Sequence, residues 1–173
     1  IPLDTTRMGA CSTRTTHPHF LNLYTNLLRE LGISNPIVLP YTLKTKGEMV
    51  AECRNAKLLL SLIPTTISCS KPEASRFAKK SPGRNCGICV PCIVRRASIY
   101  AASIKDETEY ESIPLNGIDV QAFKERIQKL NSMNHSEVFR EIVQYASLPI
   151  NELEVFVDLY LRGMKEIELF LEQ

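Results

Sequence analysis

Cys86-Gly-Ile-Cys89-Val-Pro-Cys92, preceded by Thr66-Ile-Ser-Cys69 with sixteen residues between the two cysteine groups, is the stretch on which the reading of this chain turns. Around it the apolar periodicity fails: Pro64, Pro72, Pro82, Gly83 and Gly87 interrupt residues 64 to 90, so something other than a hydrophobic core must order the segment. Four thiolates satisfy a tetrahedral zinc ion, and a metal supplies folding free energy that burial cannot. Cys69, Cys86, Cys89 and Cys92 are therefore the candidate metal ligands. Gly87 permits the turn between the first two ligands of the triplet, and Pro91 suits the first turn of a helix, where exposed amides favour thiolate. A full set of four protein ligands leaves no open position, which makes such a site structural and not catalytic. An iron–sulfur cluster, disulfides and plain buried thiols are the alternatives that spacing leaves open. Cys11 and Cys53 stand apart and read as ordinary buried thiols.

Outward from this loop the chain looks globular. Its 173 residues are 44% apolar and 23% charged, enough for a core and unlike a disordered or collagenous chain. The longest apolar stretch, Leu58 to Pro64, is interrupted by Ser61 and falls short of the roughly 20 residues that span a bilayer. No charged-then-apolar leader opens the sequence, so a cytoplasmic setting without membrane contact is expected, and there metal binding outranks disulfides. The net charge of +2 hides an asymmetry: +3 up to Ser70, +6 from Lys71 to Arg96 and −7 from Lys105 to Gln173. The basic segment suits a solvated loop or, alternatively, a phosphate or nucleic-acid contact; the acidic tail suits a solvated helical face, a basic partner or self-association.

Periodicity supplies the elements. Phe20, Leu23, Tyr24, Leu27, Leu28 and Leu31 predict a helix that Gly32 ends in the left-handed conformation. Pro36-Ile-Val-Leu-Pro40 reads as a buried strand, and a second helix is expected near Lys46 to Leu60. Ile93, Ala97, Tyr100, Ala101 and Ile104 mark a helix opened by Pro91. After a linker at 105–118, three more helices follow, on Val120 to Leu130, on Val138 to Ala146 with Ser136 as cap, and from Asn151 through Phe170. These stripes read as core. The expected architecture is α/β, with a small helical bundle packed on the sheet-bearing part.

The order Gly9-Ala-Cys11, Phe20 opening a helix, Pro40-Tyr-Thr-Leu-Lys-Thr-Lys46-Gly-Glu48, Thr66-Ile-Ser68-Cys69 and Cys86-Gly-Ile-Cys89-Val-Pro-Cys92-Ile-Val-Arg95 resembles the C-terminal half of the 7-cyano-7-deazaguanine synthase family. The resemblance covers about residues 8 to 100 and is most specific in its cysteines. It implies a parallel-sheet domain of the ATP-pyrophosphatase type (adenine nucleotide alpha hydrolase-like), spanning 1–104 and carrying a zinc loop at 69–92, with 119–173 as a helical extension. It also implies an ATP-dependent C–N ligase that works with Mg2+, activates a 7-carboxy-7-deazaguanine-type substrate and forms an amide or nitrile or transfers to an amine, as in queuosine biosynthesis. By motif, Lys46 becomes the catalytic candidate and Thr66 a residue at the pocket edge; a lysine would offset charge developing on phosphate.

Two departures accompany the resemblance. The family's glycine-rich ATP loop has no counterpart, since none of the seven glycines are adjacent. That makes the chain either the C-terminal piece of a longer protein or a homologue that has lost its ATP site. The stretch Ser12-Thr-Arg14-Thr-Thr-His17-Pro-His19-Phe20 is shorter and more basic than the family's substrate loop, and it is closer to the relatives in bacterial anti-phage defence. Arg14 and His17 are the substrate-binding candidates there, and a larger acceptor, including a protein, is implied. A homodimer is the assembly the family suggests. The alternative is a zinc-stabilised nucleic-acid or protein binding module without ATP chemistry.

Overall fold

The computed structural model describes residues 17–70, 83–145 and 152–173. Their order is α1 (Pro18–Glu30), α2 (Lys46–Ala51), α3 (Ala56–Leu62) continued by a 3-10 turn at Ile63–Thr65, α4 (Val90–Ala101), α5 (Ile118–Ser132), α6 (His135–Tyr145) and α7 (Leu153–Leu171). Among the described residues there is no strand, only an isolated β-bridge between Asn85 and Tyr110. The expected α/β architecture with a parallel sheet is overturned. The run Pro36-Ile-Val-Leu-Pro40 stays irregular, with Val38 74% exposed. Its two prolines leave three amides for a ladder, no described strand lies beside it, and a strand of that length does not persist alone.

Local signals set α1. His17 caps it, its Nδ1 accepting from the His19 amide at 3.2 Å, and Pro18 occupies the first turn. At the other end Gly32 takes φ +75°, while the amides of Gly32 and Ile33 donate to the Arg29 and Leu28 carbonyls. This is the paired closure that a left-handed residue after a helix allows. The amphipathic stripe read from the sequence is present, yet no residue of α1 is buried.

The helix expected over Lys46 to Leu60 is two helices. Thr45 and Glu48 form a reciprocal capping box on α2, and Asn55 caps α3 by accepting from the Leu58 amide. An asparagine that satisfies a new helix start offers the backbone an alternative to continuing the old one. In the same way α6 starts one residue before the expected cap Ser136: Asn134 and Glu137 exchange hydrogen bonds at 3.1 and 2.8 Å. Asn151, the expected cap of α7, lies outside the described residues.

The core lies in the C-terminal part, where α7 packs chiefly on α4 and also on α5 and α6. Ile93, Phe123 and Val157 are fully enclosed, and each such side chain contributes about 1.5–3 kcal/mol. One buried ionic knot crosses it. Arg126 donates from Nε to the Tyr160 hydroxyl at 2.7 Å and from Nη1 to Glu141 at 2.6 Å, with its guanidinium 5.5 Å from the Tyr160 ring centre. The helical bundle is thus present, and α2 is docked onto α4 and α7. Glu166 of α7 accepts from the Thr45 hydroxyl and the Gly47 amide. A Cβ on Gly47 would lie 2.4 Å from Glu166, so only glycine allows this approach.

Candidate metal centre

Three chain segments meet at the cysteines. The extended residues after the 3-10 turn bring Cys69; the loop 85–88 brings Cys86; the start of α4 brings Cys89 as its N-cap and Cys92 in its first turn. Gly87 takes φ +85°, and a Cβ there would sit 2.5 Å from the Ser112 carbonyl oxygen, so the bend needs glycine on both counts. Pro91 opens α4 without wasting an amide.

The sulfurs converge. All four Sγ atoms lie within 4.8 Å of one another, with Cys86–Cys92 and Cys69–Cys89 at 3.9 Å. A sulfur–sulfur bond spans about 2.05 Å, so the described cysteines are not disulfide-linked. A tetrahedron with metal–sulfur bonds of about 2.3 Å has edges of about 3.8 Å, which matches the two closest pairs. Cys89 and Cys92 are buried, Cys69 and Cys86 half-buried.

Backbone amides favour the thiolate form. The Cys89 amide donates to Cys86 Sγ at 3.3 Å. Burial nevertheless pushes the Cys86 thiol up, and more strongly that of Cys92, beside the neighbouring cysteines. For Cys89 burial also acts upward, but hydrogen bonds from Ser70 and Cys92 prevail and bring it down to about 7. Four crowded sulfurs cannot all ionise without a compensating cation.

A polar frame fixes the loop. Asn85, 3% exposed, accepts from the Ser68 amide at 2.8 Å and donates to the Thr66 carbonyl at 3.0 Å, tying the two ligand-bearing segments together. Arg95, one turn after Cys92, donates to Thr66 Oγ1 at 2.7 Å, to Ser68 Oγ at 3.2 Å, to the Ile63 carbonyl and to Thr108 Oγ1. Behind them the amides of Glu111 and Ser112 donate to the Asn85 and Cys86 carbonyls. Arg96 donates to the Gly87 carbonyl while lying over the Tyr110 and Phe170 rings, at 4.8 and 5.0 Å. Such outer partners hold the backbone that carries the four sulfurs in a fixed arrangement.

Comparison with family models, curated proteins and solved structures finds no match to this chain.

The other sequence-derived candidates do not share one site. Thr66 belongs to the metal loop's frame through Arg95, and His17 caps α1. Lys46 opens α2 and faces a cavity against α7. Arg14 and Cys11 lie outside the described residues, as do residues 71–82 of the basic stretch with four of its seven cations. Of its described cations, Arg84 pairs with Glu109 at 3.0 Å, and Arg95 and Arg96 are engaged as above. Cys53 is half-buried and apart from the cluster. Among the described residues no helix is long and apolar enough to cross a membrane. The roles of Asn85 and Arg96 carried no signal in the sequence: asparagine before a cysteine and a second arginine in a helix are ordinary neighbours.

Proposed function

We propose that the chain is a zinc-stabilised module, the zinc-bearing part of a 7-cyano-7-deazaguanine synthase-like ligase. The observation that carries the reading is the convergence of Cys69, Cys86, Cys89 and Cys92 within 4.8 Å. A single ion accounts for sulfurs this close, whereas ligands to different irons of a cluster are spread by the cluster between them. Bound there, zinc would act as a structural crosslink. The chain's own part is to supply four thiolates, donate amide hydrogen bonds to them and lock segment 66–69 to α4 through Asn85 and Arg95.

The family assignment draws support from the motif's two ends meeting in space: Arg95, which closes the cysteine triplet motif, hydrogen-bonds Thr66 and Ser68 of the Thr-Ile-Ser-Cys stretch. Metal analysis of the purified chain tests the first part, with one zinc per chain expected and iron or no metal refuting it. Calorimetric titration of the zinc-loaded chain with 7-carboxy-7-deazaguanine tests the second. Saturable binding is expected, and its absence would remove the ligase assignment.

A second reading is favoured by the helical architecture and the lack of adjacent glycines: a binding module with no ATP chemistry of its own. It predicts the same zinc content and no binding of the deazaguanine.

A further inference from the structure

Between the start of α2, the middle of α4 and one side of α7 lies a cavity of about 320 Å³, at the lower end of the range for small-molecule pockets. Val94, Phe156, Leu159 and Ile167 give it an apolar body. Three features indicate a site and not a packing gap.

The first is Gly163. It lies in the interior of the 19-residue α7, where glycine is unfavourable relative to alanine. No contact demands it: φ is ordinary, and an added Cβ would meet nothing within 4 Å. What the missing side chain does is leave the cavity open. The second is Lys46, exposed at the cavity's edge with no hydrogen-bond or ion-pair partner among the described residues. Its neighbour Lys44 is paired with Glu52. The third is the state of the remaining polar groups. The Thr45 hydroxyl and both Glu166 oxygens are engaged at the α2 cap, and the Tyr160 hydroxyl is held by Arg126. Lys46 is thus the side chain in the lining whose polar head is not already engaged within the described residues.

The geometry points to a binding site for a small molecule with a hydrocarbon or aromatic body and one anionic head, the body lying against Gly163 and the head on Lys46. Glu166 carries a charge of the opposite preference, but its carboxylate is turned to α2 by two donors, and the Lys46 ammonium faces no such competitor. An ionic hydrogen bond to the exposed Lys46 ammonium raises affinity about two- to fivefold over an uncharged analogue. The site is independent of the metal's identity and of the deazaguanine reading.

The test uses the full zinc-loaded chain, isotopically labelled and titrated with phenylacetate while backbone amide shifts are followed. Saturable shifts at Val94, Lys46 and Gly163 are expected. Gly163→Leu, which fills the cavity without a clash at Cβ, should abolish the shifts at Val94 and Lys46. Lys46→Gln should weaken binding about two- to fivefold, and phenylacetamide should bind the parent chain about two- to fivefold less tightly than phenylacetate. No saturable shift at these residues, or binding indifferent to Gly163→Leu, would overturn the site. Equal affinity for phenylacetate and phenylacetamide would overturn the anionic head.

Discussion

Replacing Arg126 with alanine should cost the protein about 3 kcal/mol. The side chain is 4% exposed and bridges three helices, holding Glu141 of α6 and Tyr160 of α7 from its position on α5. Removing one partner of a buried pair costs about 3–5 kcal/mol because the other charge is stranded. The lower end applies here: Glu141 is 18% exposed and keeps Lys129 at 3.2 Å. For a chain of this length the loss corresponds to a Tm drop of about 6–12 °C. The pair is not thereby a net stabiliser. Arg126 Nη2 is buried without an acceptor, and the Arg126 charge is stripped of water and that of Glu141 partly so, so Arg126→Met with Glu141→Leu should return to within about 1 kcal/mol of the parent. Urea unfolding of the zinc-loaded proteins at neutral pH measures both, provided the slope with denaturant is unchanged. A loss below about 1 kcal/mol in the alanine variant would show that Arg126 does not tie the three helices together, and a double variant no better than the single one would show that the stranded Glu141 charge is not the cause of the loss.

Asn85→Ala strips two hydrogen bonds from a buried position and should lower stability by about 1–3 kcal/mol and weaken zinc about tenfold to a hundredfold, read by competition with a chromogenic chelator. Gly87→Ala should cost about 1–2 kcal/mol for the left-handed backbone alone and more for the contact with the Ser112 carbonyl; thermal unfolding decides it, and an unchanged Tm would contradict the turn geometry. Acid should destabilise the fold through Glu48 and Glu141. The Arg162 hydrogen bond, then the Thr45 amide, holds the Glu48 carboxyl below its ordinary value of 4.5. Burial pushes Glu141 up but is outweighed by Arg126 and Lys129. Carboxyls depressed in the folded state stabilise above the unfolded value, and that contribution fades as pH falls through the folded one. The carboxylate contribution should therefore be fully present at neutral pH and fade from about pH 4.5 downward, in addition to any loss of zinc from protonated thiols, and less steeply in Glu48→Gln; a parallel decline in that variant would count against the Arg162 contact.

What was legible in the sequence follows from distance along the chain. The cysteine triplet and its partner announce their chemistry by spacing, and α1, α4, α5, α6 and α7 by apolar period, because both signals are local. Pro36–Pro40 has the look of a strand without being one, because β-branched residues report only a willingness to be extended; pairing depends on neighbours that no short window contains. The break between α2 and α3 was missed because Asn55 looks like any polar residue until its side chain is seen accepting from the Leu58 amide. Hardest to foresee were the contacts that organise the tertiary structure. Glu166 reaches Thr45 across 121 positions, and Arg126 reaches Tyr160 across 34. Neither pair has a pattern that distinguishes it from solvated charge.

X-ray absorption at the metal edge of the purified chain tests whether Cys69, Cys86, Cys89 and Cys92 hold one zinc ion. Four thiolates on a single zinc give a zinc edge with one shell of four sulfurs at about 2.3 Å and no metal–metal scattering. An iron edge, metal–metal scattering, or a shell with nitrogen or oxygen in place of any sulfur would contradict a four-thiolate zinc site.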